Sequence, residues 1–60
     1  MKLFEGYKDG KPVTITIEDE HVYIESPDGK ELWNDEYYDE DSYGTIKLGL
    51  LNEGFHLIQQ

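Results

Sequence analysis

Apolar residues recur along the first half of this chain with a period of two. In "PVTITIEDEHVYIES", Val13, Ile15 and Ile17 share one face, while Thr14, Thr16 and Glu18 share the other. The alternation resumes after "EDE", with Val22 and Ile24 inward and His21, Tyr23 and Glu25 outward. Successive side chains on a strand point to opposite faces, so this spacing in β-branched residues predicts two strands. A tight connection at Asp19 and Glu20 sets Ile17 opposite Val22 and Ile15 opposite Ile24, which keeps the apolar face continuous.

Three further turns carry glycine. "KDGK" (8–11), "SPDGK" (26–30) and "NEG" (52–54) each place Gly where a type I turn ends in a left-handed residue. A three-residue loop at Pro27-Asp28-Gly29 pairs Ile24 with Leu32 in the core and Tyr23 with Trp33 on the outer face. It also opposes Glu25 and Glu31, a like-charge pair that costs stability, so either the bulge moves the register or the two carboxylates are kept close for a reason. The segment "TIKLGLLNEGFHLI" reads as a C-terminal hairpin. Ile46, Leu48, Leu50 and Ile58 form one face, and Leu51, Phe55 and Leu57 the other. A strand pair apolar on both sides is expected to be buried on both, by barrel closure, a second copy or a partner. "KLFEGY" supplies a first strand with Leu3, Glu5 and Tyr7 on one face and Phe4 and Gly6 on the other. No helical periodicity is sustained, and at most one short helical turn is expected near 34–40, where Asn34 caps and Asp35 and Glu36 suit a helix start. The expected architecture is therefore all-β, a single domain over residues 1–60. Five or six antiparallel strands form a meander curled into a small barrel or half-barrel.

The stretch "YKDGKPVTITIEDEHVYI" (7–24) resembles the opening strands of small bacterial pleckstrin-homology-like β-domains. The shared features are a Tyr, a D-G turn and a P-V-T strand start. The resemblance covers the first half of the chain, which is short for that fold and shows no C-terminal helix in its pattern. It implies a β-sheet interaction module with no catalytic residues to carry over.

Size and charge narrow the function. A chain of 60 residues without cysteine builds a small core unaided by disulfides and offers no thiolate zinc site. Fourteen acids against five lysines and no arginine give a net charge of −9. Such a field repels nucleic acid and anionic membranes, and it suits a basic protein as partner. The bland alternative is that the charge only keeps a small protein soluble. The N-terminal segment has no apolar run of signal-peptide or membrane-spanning length, so a cytoplasmic location is expected, in the host cytoplasm if the chain is phage-encoded.

One stretch is compositionally distinct. "LWNDEYYDEDSYG" (32–44) packs carboxylates and aromatic rings together. Its spacing does not match a calcium loop, because Tyr37 and Tyr38 stand where ligand and turn residues belong. His21 and His56 read as surface or core-edge residues, and no nucleophile–base pair is recognisable. No metal, cofactor or enzymatic activity is expected. The candidate partner-binding residues are Tyr23, Glu25, Trp33, Asp35, Glu36, Tyr37, Tyr38, Asp39, Glu40 and Asp41. Same-face strand residues lie about 6.8 Å apart, close to the spacing of phosphates along a nucleic-acid strand. Carboxylates on Glu18, Glu20, Glu25 and 35–41 can thus imitate a phosphate row, with Tyr and Trp as anchors. The expected function is a small acidic protein-interaction domain. Its sharper form is a phage or mobile-element inhibitor that occupies the basic groove of a host nucleic-acid-binding enzyme. The alternative is a structural β module that dimerises through the apolar C-terminal hairpin.

Overall fold

A computed structural model describes residues 1–58, with the backbone alone for Glu40. Strands β1 (Lys2–Lys8), β2 (Lys11–Glu18), β3 (His21–Ser26) and β4 (Gly29–Leu32) follow one another as an antiparallel meander. A 3₁₀ turn at Glu40–Ser42 leads into helix α1 (Tyr43–Asn52), and the short strand β5 (His56–Ile58) then pairs antiparallel with β1. The sheet order is β4-β3-β2-β1-β5. The sheet does not close on itself, so the expected half-barrel form fits. No helix among the described residues is long and apolar enough to cross a membrane.

Period-two patterning fixes the centre of the sheet. Ile15 lies opposite Ile24, and Ile17 opposite Val22, as the alternation requires. On the other side of β2, Phe4 pairs with Ile15 and Gly6 with Val13. Phe4, Val13, Ile15 and Val22 are buried against Ile46 and Leu50 of α1 and against Phe55. Thr14, Thr16, Tyr23 and Glu25 occupy the opposite face of these strands. Both central residues of the β1–β2 turn (Asp9, φ 53°; Gly10, φ 82°) and of the β2–β3 turn (Asp19, φ 52°; Glu20, φ 63°) are left-handed. Two-residue turns of this hand match the twist of the strands they join.

The C-terminal segment departs from expectation. The hairpin read over 45–58 is instead a ten-residue helix followed by a three-residue strand, and the longest helical element lies at 43–52 rather than as one turn near 34–40. Burial explains the outcome. Ile46 and Leu50 are fully buried, while Leu48 between them is 62% exposed, so the segment's burial repeats every four residues rather than every two. "NEG" ends the helix instead of turning a hairpin. Gly54 (φ 94°) donates its N–H to Leu51 O (3.1 Å) and Phe55 donates to Leu50 O (3.1 Å). This pairing closes a helix on a left-handed glycine, and Phe55 and Leu50 supply its hydrophobic contact in the core.

The β3–β4 register also differs, by one residue. Ser26 pairs with Gly29 across a two-residue Pro27-Asp28 loop, so Tyr23 faces Leu32, Ile24 faces Glu31 and Glu25 faces Lys30. The Ser26 hydroxyl holds the turn by accepting the Asp28 N–H at 3.2 Å. This register replaces the Glu25–Glu31 repulsion with an opposite-charge pair. A one-residue slip reverses every side chain of the strand. Leu32 therefore joins Tyr23 on that opposite face, and Trp33 turns to the helix side instead of lying beside Tyr23.

Candidate functional site

Segment 33–42 links the sheet to α1 and is held by its own side chains. The Trp33 N–H donates to Val22 O (2.9 Å), adding one rung to the β3–β4 ladder. The Trp33 indole crosses to the helix, where its Nε1–H lies 3.1 and 3.0 Å from the two carboxylate oxygens of Glu53. Gly49 makes the approach available, because a Cβ there would stand 2.8 Å from the Trp33 ring. Tyr38 stacks on that ring with centroids 5.6 Å apart and planes 29° apart. Its hydroxyl accepts from Asn34 Nδ2 (3.0 Å) and donates to Glu36 Oε2 (2.9 Å). Asn34 Oδ1 accepts the Glu36 N–H (2.9 Å), a local turn of the kind Asn favours. Burial holds the Tyr38 phenol above its usual pKa.

The same segment is fastened to the β2–β3 turn. The Tyr38 N–H donates to Glu20 O at 2.7 Å, and the Tyr37 and His21 rings lie 4.5 Å apart. At its far end the Asp39 N–H donates to the Ser42 hydroxyl (3.3 Å), which donates to Asp39 Oδ1 (3.1 Å), opening the 3₁₀ turn. The result is an acidic pole built from two chain segments. Asp19 and Glu20 stand on the turn, Asp35, Glu36, Asp39 and Asp41 on the linking segment, and Tyr37 is 73% exposed among them.

Four of the five lysines pair with other carboxylates. Lys2 pairs with Glu5 (3.0 Å), Lys8 with Asp9 (3.7 Å), Lys11 with Asp28 (2.7 Å) and Lys30 with Glu18 (2.6 Å). Among the described residues, none of the six pole carboxylates has a lysine partner, and the sequence carries no lysine between Lys30 and Lys47.

The ten expected partner residues therefore divide. Asp35, Glu36, Tyr37, Asp39 and Asp41 are all exposed along the linking segment, and the Glu40 side chain lies outside the described residues. Trp33 and Tyr38 are half-buried and packed against the core, where they position the acids. Tyr23 and Glu25 lie on the sheet face opposite the core beside Lys30, whose ammonium sits 4.9 Å from the Tyr23 ring centroid. Glu18 shares that lysine. The Lys30 hydrogen bond draws the Glu18 carboxyl below its usual pKa, and Glu18 raises that of Lys30 in turn. Glu18 is thus paired locally, and Glu25, opposite Lys30 in the β3–β4 register, lies on the sheet face rather than on the linking segment. Pattern reading missed Glu53, which receives the Trp33 indole across the helix end, because nothing local marks a contact 20 residues away.

No group of three or more His, Cys, Asp or Glu among the described residues is arranged to hold a metal ion. No known protein family, characterised protein or solved structure shows significant similarity to the chain.

Proposed function

We propose that this chain is an acidic interaction domain whose pole at 19–20 and 35–41 docks on a basic surface of another protein. One observation carries the reading: six exposed carboxylates and an exposed tyrosine stand on two segments that the Tyr38 N–H to Glu20 O bond fastens together, and among the described residues none of the six has a lysine partner. Clustered like charges repel, so the arrangement costs stability in the free protein. A partner's lysines and arginines relieve that repulsion and speed encounter. Tyr37 supplies contact area of the type that anchors interfaces. The partner class that fits best is a nucleic-acid-binding protein, because a dense patch of carboxylates competes for the groove that otherwise holds phosphates. Affinity capture on the immobilised chain tests this at about 50 mM and about 500 mM salt, spanning strong and weak screening. Retention of a basic protein at low salt, with loss at high salt and displacement by added DNA or RNA, is the expected result. Retention that is indifferent to salt and to nucleic acid contradicts it.

A further inference from the structure

A second surface, separate from the acidic pole, has the opposite character. Helix α1 contains no carboxylate along its ten residues, in a chain where acids number fourteen of sixty. Tyr43, Lys47 and Leu51 follow one another at four-residue intervals and form a ridge beside the buried Ile46–Leu50 ridge. That ridge makes one wall of a groove of about 290 Å³, and Leu3, Leu57 and Ile58 of the β1–β5 edge make the other. Tyr43, Leu51 and Ile58 are 44–48% exposed, leaving large apolar area uncovered. Lys47 is the groove's cation. It is half-buried and, alone among the five lysines, has no carboxylate partner among the described residues.

We infer that this groove binds a single-chain amphiphile ending in one carboxylate, with its head at Lys47 and its apolar chain between the α1 ridge and the β1–β5 edge. The charge pattern selects this class. Lys47 lines an otherwise apolar groove and has no carboxylate partner among the described residues, so a ligand's single carboxylate complements it. Multiply charged anions such as nucleotides are turned away by the net charge of −9, whereas one carboxylate on a long apolar body meets little of that repulsion. Salt screens the distant repulsion more than the contact with Lys47, so binding holds or tightens as salt rises. This is opposite to docking through the acidic pole, and the two readings fail independently.

The test is a ¹⁵N-resolved NMR titration of the full chain with sodium decanoate below its micelle concentration. Saturable shifts at the amides of Leu3, Tyr43, Lys47, Leu51 and Leu57, with a dissociation constant on the order of 1 mM or below, are expected. Lys47→Gln weakens decanoate binding about five- to tenfold with an otherwise unchanged spectrum, and Leu51→Asp, at an exposed position, removes it. Absence of shifts at these amides overturns the inference. So does binding that Lys47→Gln leaves unaltered, or equal binding of decyltrimethylammonium at the same amides. Concentration-dependent shifts there without ligand identify a second copy as the occupant. Binding of a hexapeptide ending in two leucines and a free carboxylate, where decanoate fails, identifies a protein terminus. Either result overturns the amphiphile.

Discussion

Gly49 should respond to alanine in the opposite sense from another glycine of the same helix. In a helix interior, Gly→Ala gains about 1 kcal/mol from backbone propensity. At Gly44 nothing lies within 4 Å of the added Cβ, so the change is stabilising by a few tenths to about 1 kcal/mol, given its place in the first turn. At Gly49 the Cβ would stand 2.8 and 3.0 Å from two ring carbons of Trp33. That ring is fixed by the Glu53 carboxylate on its Nε1–H and by the Tyr38 stack, so it cannot simply swing aside. Overpacking of this kind costs about 1–3 kcal/mol, which meets or exceeds the propensity gain. Gly49→Ala is therefore expected to be net destabilising by about 1 kcal/mol, a fall in thermal midpoint of about 4–8 °C for a domain this small. Urea denaturation followed by the fluorescence of the single tryptophan reads both variants, and the Gly49 variant should also show an altered native emission. If Gly49→Ala is as stable as Gly44→Ala with native emission unchanged, the packing of Trp33 on the helix is wrong.

Three other outcomes follow from the same contacts. Gly6→Ala drives a Cβ into the His56 carbonyl of β5, so it should separate the β1–β5 pair and cost more than about 2 kcal/mol; hydrogen exchange at β5 reads this, and intact protection at Leu57 would contradict it. The raised pKa of Tyr38 means that its protonated form is favoured by folding. Its contribution is full below the unfolded tyrosine value near pH 10 and is lost as pH rises through the higher folded value. Tyr38→Phe should lose about 1 kcal/mol at neutral pH and show a shallower loss of stability above about pH 10 than the parent chain, whereas parallel curves would refute the buried-phenol account. For Glu18, whose pKa is lowered by Lys30, the contribution is present above the unfolded carboxyl value and lost as pH falls through the folded one. Lys30→Gln should raise the Glu18 titration midpoint by NMR, and an unmoved midpoint would show that the ion pair is not formed in solution.

The centre of the sheet was legible because one face of β2 and β3 is buried and β-branched, which leaves a single register that keeps Ile15, Ile17, Val22 and Ile24 together. The β3–β4 register was not, since Pro27-Asp28-Gly29 suits both a two- and a three-residue loop. The Glu25–Glu31 clash of the rejected register was the available signal, and Lys30 resolves it. The C-terminal region misled because Ile46, Leu48 and Leu50 alternate like a strand, while Ile46 and Leu50 alone are also one helical turn apart. Exposed Leu48 and Leu51 blur the helical stripe, and Gly49 lowers local helix propensity although its role is to admit Trp33. Acidity at 35–41 could be read directly. The division of labour within it could not, since it depends on Glu20 and Glu53, both distant in sequence from Trp33 and Tyr38.

The position of the negative charge, rather than its total, is the central claim, and matched neutralisation tests it most directly. One variant carries Asp35→Asn, Glu36→Gln, Asp39→Asn and Asp41→Asn; the other carries Asp9→Asn, Glu25→Gln, Asp28→Asn and Glu31→Gln, so each removes four charges. The amide replacements keep size and hydrogen-bonding capacity, including the acceptor at Glu36 for Tyr38. Affinities of both for the basic protein retained by the parent chain are measured by calorimetry at about 50 mM salt, where electrostatic contacts are least screened. The pole variant should lose about 100-fold or more, and the matched variant less than about tenfold. Equal losses, or a pole variant that binds as the parent does, would contradict the account.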